Sequence, residues 1–273
     1  MYNACYLLDT KRLQRTKTWE ALLDQERLQK YARINAEKTA VQSLGAGLLL
    51  QLAAGEYLLG EEHLATAPII CLDADLLAMR LRTCLEALRE RKSEFLACRK
   101  AERNGAMGSE ESGDGKTGKE DRRGDASDAK SWYLDLSYEV NGFGKPFFKD
   151  LPLFFSISHS GDQILCACSE QEIGADLQKV TSQNWYGIAE RFFSKEEKEY
   201  LETMPERTSA RDAFFMLWTK KEAYGKLMGE GLLAVIHLPF SEKRDGLSWR
   251  EGQFTTEDGV KYYYSVCQKL CEE

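Results

Sequence analysis

At 273 residues the chain is long enough for one large domain or two small ones, each with its own core. Its 43 % hydrophobic and 30 % charged residues read as an ordinary globular protein, and no apolar run reaches the roughly eighteen residues of a membrane helix. A net charge of −7 argues against a general nucleic-acid binder, which needs a basic surface, but a local Lys/Arg cluster would still serve an anionic small molecule.

The first residues mix acid and base close behind a short apolar run, so no secretory signal is expected. The eight cysteines contain no CxxC pair. Cys166 and Cys168 fall on one side of an apolar strand and read as buried thiols, and the compartment reads as reducing and cytoplasmic.

In chain order, Tyr2–Leu8 predicts a strand and Glu20–Ile34 a charged helical region. Ala40–Leu59 is apolar and rich in small residues, the pattern of a buried helix packed closely on its neighbours. From Leu72 to Arg103 the apolar positions Leu77, Leu81, Cys84, Leu88, Phe95 and Cys98 predict a long amphipathic helix, laid on its own domain or forming a short coiled-coil seam. Residues 104–131 hold six glycines and no branched aliphatic or aromatic residue, which predicts a flexible linker. Beyond Trp132, Phe154–His159, Gln163–Ser169 and Glu172–Gln178 predict a three-stranded antiparallel meander. A helix is expected around Asn184–Arg191, and another opens at the capping box Ser194…Glu197. A longer one over Ala210–Met228 stops at Gly229, and Val260–Val266 closes the chain as strand.

Three places carry chemistry. In Ile173–Gln178, alternation puts Ile173, Ala175 and Leu177 on one face and Gly174, Asp176 and Gln178 on the other. A carboxylate beside a carboxamide, with a glycine leaving room, offers the hard oxygens Mg²⁺ prefers; an exposed strand face would look the same. Trp218, Glu222 and Lys226 fall at i, i+4 steps on one helical stripe. That spacing equally makes a common surface ion pair, although the tryptophan at its head points the stripe toward an interior or a cleft. His159 ends a strand between hydroxyls, as a phosphate ligand or a hydrogen-bonded structural histidine would. His63 and His237 have no supporting context.

Taken together these segments resemble the 4′-phosphopantetheinyl transferase superfamily in its long, surfactin-synthetase-activating type. The resemblance is carried by Phe155-Ser-Ile-Ser-His-Ser160, Ile173-Gly-Ala-Asp-Leu-Gln178, Arg191-Phe-Phe-Ser-Lys-Glu196 and Leu217-Trp-Thr-Lys-Lys-Glu-Ala223 with Lys226, and more weakly by Ser43-Leu-Gly-Ala-Gly47 and Gly144-Lys-Pro146. It implies an α+β fold of two similar halves related by a pseudo-twofold, each a small antiparallel sheet packed with helices. Residues 1–70 and 132–153 would form the N-terminal half, 71–131 an insertion and 154–273 the C-terminal half. The implied reaction moves the phosphopantetheine arm of coenzyme A to a serine of an apo carrier protein of fatty-acid, polyketide or peptide synthesis, releasing adenosine 3′,5′-bisphosphate. Asp176 and Glu222 would hold Mg²⁺, with Gln178 as a third ligand where the family has an acid. Glu222 would take the serine proton and Lys226 would stabilise the leaving phosphate. Ser158, His159, Arg27 and Lys30 would contact the 3′-phosphate, Ser43 would lie near the phosphates, and Lys145 and Pro146 would line the adenine side. Gln42 stands where an arginine is common. The implied state is a cytoplasmic monomer with no nucleic-acid or membrane partner. A non-catalytic coenzyme A-binding regulator and a Mg²⁺-dependent phosphoesterase are the competing readings.

Overall fold

The computed structural model describes residues 2–60, 69–105, 133–182, 184–240 and 245–270. The chain opens with β1 (Asn3–Asp9), followed by helices α1 (Lys17–Glu20), α2 (Gln25–Ala32) and α3 (Glu37–Leu59). Then come β2 (Ile70–Leu72), α4 (Ala74–Gly105), the short strands β3 (Tyr138–Val140) and β4 (Pro146–Phe148), and the longer β5 (Phe154–Ser160), β6 (Gln163–Ser169) and β7 (Ile173–Lys179). Helices α5 (Trp185–Phe192), α6 (Lys195–Glu202), α7 (Arg207–Met228) and α8 (Leu232–Val235) precede β8 (Leu247–Thr255) and β9 (Lys261–Lys269).

The fold is α+β, with small, largely antiparallel sheets between helices, as expected. One sheet has the order β2-β1-β6-β5 and a second the order β7-β9-β8; in the first, β1 and β2 pair in parallel. Alternation explains how β1 can lie between two cores. Ala4, Tyr6 and Leu8 join Leu44, Leu48 and Leu52 of α3 on one side. Cys5 and Leu7 join Leu165, Ala167, Ile173, Ala175 and Leu177 on the other. The layers therefore run α3, first sheet, second sheet, α7. Cys166 and Cys168 do face one side, toward α3, fully buried as free thiols.

One strand pairing differs from the expectation. β5 and β6 form the hairpin, but β7 leaves it and pairs with β9, about ninety residues on. Glu170 and Gln171 look like a hairpin turn, yet the chain uses them to step between layers. A three-residue apolar alternation suits a strand in either sheet, and only the long-range partner decides. The charged region 20–34 likewise splits, because Asp24 caps α2 by accepting from the Arg27 amide at 2.8 Å.

α4 packs on its own domain. Leu77, Leu81 and Cys84 are buried in the α3 core, and Gly55 of α3 lies so close that a Cβ there would overlap Cys84 Sγ. Arg80 of α4 reaches the Glu56 carboxylate, which also accepts from Tyr6. A buried carboxylate needs such partners, and this one ties α3, α4 and β1 together. The linker expected at 104–131 lies beyond Gly105 outside the described residues, as do His63 and the side chains of Phe95 and Cys98.

Around the second sheet, the capping box at Ser194 forms as expected. Glu197 is then buried against Lys221 at 2.9 Å, the two side chains 1 % and 0 % exposed. The Lys221 ammonium lies between the rings of Phe193 and Phe240. Trp218 does face inward, stacked in line with Phe193 and Phe214.

Gly174 sets the distance between β7 and α7. A Cβ at this position would collide with the backbone carbonyl of Ala223 and the amide of Leu227; main chain cannot rotate away as a side chain would. Gly174→Ala is expected to cost about 3 kcal/mol or more of unfolding free energy, at the top of the overpacking range. Denaturant titration measures it, and a loss under about 1 kcal/mol would contradict the close approach.

Candidate active site

The site forms where β5, β7 and α7 meet. Ser156, Ser158 and Ser160 point from alternate positions of β5 toward β7. Ser156 Oγ accepts from the Ala175 amide at 2.9 Å and Ser160 Oγ from the Lys179 amide at 3.0 Å. Between them Ser158 donates to Asp176 Oδ1 at 2.7 Å. Three hydroxyls thus bridge edges of two sheets that share no ladder, and the middle one holds a carboxylate.

Asp176 is 1 % exposed and answers the cost of burying a charge with donors on both oxygens. Besides Ser158, Oδ1 accepts from Lys226 Nζ at 2.8 Å, and Oδ2 accepts from Gln178 Nε2 at 3.1 Å. An amide oxygen turned toward an ionised carboxylate would be repelled, so the nitrogen end of Gln178 faces Asp176. Glu222 stands near this group, half-buried. Burial pushes its carboxyl up to about 7, Asp176 adds to the rise, and Lys226 opposes it. Two carboxylates and an amide around one ammonium are hard donors suited to a divalent cation together with ligand oxygens and water. Among the described residues, no group of three or more His, Cys, Asp or Glu side chains is arranged to hold a metal. Any cation here therefore depends on Asp176, Glu222, Gln178 and a ligand of its own.

Beside this group opens a cleft of about 530 Å³. Of the residues singled out by sequence, Arg27, Ser43, Lys145, Pro146, His159 and Lys226 line it. His159 is held below the usual imidazole range, first by desolvation and then by the Lys226 ammonium. Lys145 supports the wall from behind: Nζ donates to the carbonyls of Ile173 at 3.1 Å and Leu227 at 3.0 Å, and burial lowers its pKa. Lys30 does not reach the cleft. It pairs with Glu26 at 2.7 Å on the surface and borders an adjoining hollow of about 660 Å³ that shares Arg27 and Pro146. Arg27 stacks its guanidinium over the Tyr138 ring, 5.0 Å from the centroid. Ser158 and Asp176 lie beneath the cleft rather than in its lining.

Sequence reasoning missed Thr39, a cleft residue with no motif to mark it, and the bridging roles of Ser156 and Ser160. The alternation Ser-Ile-Ser-His-Ser displays the latter, but it becomes meaningful only once β7 is known to lie alongside. Gln42 also lines the cleft and donates from Nε2 to the Gly161 carbonyl at 3.0 Å, pinning the turn after β5.

Residues 172–268 match the family model of the 4′-phosphopantetheinyl transferase superfamily. Similar proteins include the 4′-phosphopantetheinyl transferase psf-1 of Bacillus pumilus, 41 % identical over 99 residues that cover 36 % of this chain and 41 % of that one. Sfp of Bacillus subtilis is 40 % identical over 99 residues, 36 % and 43 % of the two chains. AcpT of Salmonella typhi is 41 % identical over 97 residues, 34 % and 50 %. The matched region spans about half or less of these relatives' length. The family-model match over residues 172–268 includes Asp176, Gln178, Glu222 and Lys226 and bears out the resemblance read from the motifs there. No helix among the described residues is long and apolar enough to cross a membrane.

The raised Glu222 pKa has a sign that can be tested. Between about 4.5 and 7 the folded protein binds more protons than the unfolded chain, so stability falls as pH rises through that window and the full loss is present above it. Glu222→Gln removes this penalty. In chelator-treated protein at pH 8 the variant should be more stable by about 1–2 kcal/mol, after discount for partial exposure, with the difference closing toward pH 4. Parallel stability–pH curves for the two proteins would contradict the assignment.

Proposed function

We propose that this chain is a 4′-phosphopantetheinyl transferase, joining the phosphopantetheine arm of coenzyme A to a serine hydroxyl of an apo carrier protein. The observation that carries the reading is the meeting of Asp176, Glu222 and Lys226 beside a cleft rimmed by Arg27, Ser43, Lys145 and His159. Phosphoryl transfer depends mainly on positioning and charge neutralisation, which calls for cationic groups, a metal and a base in one place. The matches to named transferases over residues 172–268 support the same reading.

In this reading the cleft takes the adenosine end of coenzyme A. Pro146 and the Lys145 stem would border the base, and Arg27 and His159 the 3′-phosphate, with Lys30 attracting the anion from outside. Asp176 and Glu222 would hold Mg²⁺ with oxygens of the diphosphate, Gln178 joining through its amide oxygen only by turning it away from its present position. When bound, Mg²⁺ supplies charge neutralisation and alignment of the diphosphate. Glu222 accepts the proton of the carrier serine as its oxygen attacks the β-phosphorus. The bond from that phosphorus to the bridging oxygen breaks, and adenosine 3′,5′-bisphosphate leaves with the electron pair. Lys226 stabilises the charge gathering on that leaving group. A carboxylate close to neutrality in its proton affinity suits a general base at physiological pH.

The order helix, sheet, sheet, helix supports two similar halves with the ligand between them, and the buried free thiols fit a reducing cytoplasm. A single chain supplies every residue named, so a monomer suffices. The carrier could serve fatty-acid, polyketide or peptide assembly.

Incubation with coenzyme A, Mg²⁺ and a panel of apo carriers should add one phosphopantetheine to a carrier serine, read by mass spectrometry. Asp176→Ala and Glu222→Ala should each lower the rate by a factor of about 10² or more, whereas Gln178→Ala should cost much less. No mass gain on any carrier would overturn the reading. Coenzyme A binding without transfer would identify a regulator instead, and release of phosphopantetheine without an acceptor a phosphoesterase.

A further inference from the structure

Lys226 has one position in the structure and another in the reaction. Its ammonium donates to Asp176 Oδ1 at 2.8 Å, on the very carboxylate that would hold a cation, yet it lines the cleft in which a diphosphate would lie. The side chain is 31 % exposed while Asp176 is 1 % exposed, so the lysine can move and the aspartate cannot. Ser158 and Gln178 bind Asp176 independently of the lysine and hold the carboxylate in place when it departs. Gly225, one step before it on α7, also lines the cleft.

We propose that Lys226 is a displaceable counter-ion: in the metal-free protein it stands in for the divalent cation at Asp176, and it passes to the diphosphate when cation and ligand arrive together. The inference rests on the transferase reading for the identity of the anion, but not for the cation site. A buried carboxylate is costly without a cation beside it, and neutral donors offset only part of that cost. With the lysine bound, only the fraction of molecules in which it has swung away accepts a cation, so the cation's apparent affinity is lowered by that fraction. An anion in the cleft gives the ammonium an alternative partner and removes the competition. Cation and diphosphate then bind with positive coupling carried by this side chain, and by linkage each raises the other's affinity by the same factor. The reactive arrangement assembles only when both are present.

Mn²⁺ is the probe, titrated calorimetrically into wild type, Lys226→Met and Lys226→Arg, with and without coenzyme A. Lys226→Met without coenzyme A should bind Mn²⁺ about tenfold more tightly than wild type, the gain expected from freeing a charge-paired carboxylate. The factor by which coenzyme A tightens Mn²⁺ should be smaller in Lys226→Met than in wild type, and Lys226→Arg should behave like wild type. Thermal unfolding provides the control for folding: Lys226→Met should melt lower than wild type in chelator and recover most of the difference in Mn²⁺. Unchanged or weaker Mn²⁺ binding in a folded Lys226→Met protein would overturn the proposal. Tighter Mn²⁺ binding in Lys226→Met, with wild type transferring nothing to any carrier, would leave the counter-ion role standing and remove the transferase reading.

Discussion

Everything at the site depends on how β7 is held between β5 and α7. On the β5 side no ladder joins the two strands among the described residues; three serine hydroxyls bridge them, two taking main-chain amides of β7 and one gripping Asp176. On the α7 side a missing Cβ at Gly174 lets the strand lie against helix backbone. The two contacts are complementary in kind. The first fixes the strand along its length through directed hydrogen bonds, the second fixes its depth through van der Waals exclusion. Together they deliver an aspartate, buried but fully solvated by protein donors, to the same point as Glu222 and Lys226. A continuous β5–β7 ladder would have used the edge amides directly and left no reason for hydroxyls, nor a hydroxyl to orient the carboxylate.

Charge placement at the site follows from that geometry. Three donors converge on Asp176, and its charge adds to burial in raising the proton affinity of Glu222. Neighbouring carboxylates thus sit in different environments, one gripped by donors and the other poised to exchange a proton. Lys145 and Lys221 show the opposite use of cations. Both ammonium groups are committed to internal oxygens, Lys145 to the ends of β7 and α7 and Lys221 to Glu197, so two lysines in motif segments act as ties in the scaffold. Lys220, beside them in the sequence, pairs with Glu251 at 2.9 Å and is also engaged away from the cleft.

Most elements were legible from pattern alone: the buried α3, the amphipathic α4, the capping box of α6 and the glycine stop of α7 all rest on local signals that dominate in helices. The β7 pairing was not legible, because strand partners are chosen by residues far away in sequence. At the site, the residue types of Asp176, Glu222 and Lys226 were readable as chemistry, yet i, i+4 spacing does not distinguish a surface pair from a buried one; burial made the difference. Ser158 reads from its motif as a phosphate contact, while its hydroxyl faces Asp176. Lys30 carries the right charge for the anion, and only the fold shows that it stands one hollow away.

The antiparallel register of β1 with β6, from Asn3 opposite Ser169 to Asp9 opposite Gln163, has a consequence for how the protein is made. Nearly all residues of β1 are buried, on both faces, but its principal partner β6 is synthesised last among the strands of their sheet. At about 5–20 residues per second, β1 waits on the order of ten to thirty seconds for that neighbour. Until then its covers are β2 and the helices α1 to α4, which precede β6 in the chain. The cost of this separation in sequence is kinetic: β1 must be sheltered, by its own helices or by chaperones, until β6 has been translated.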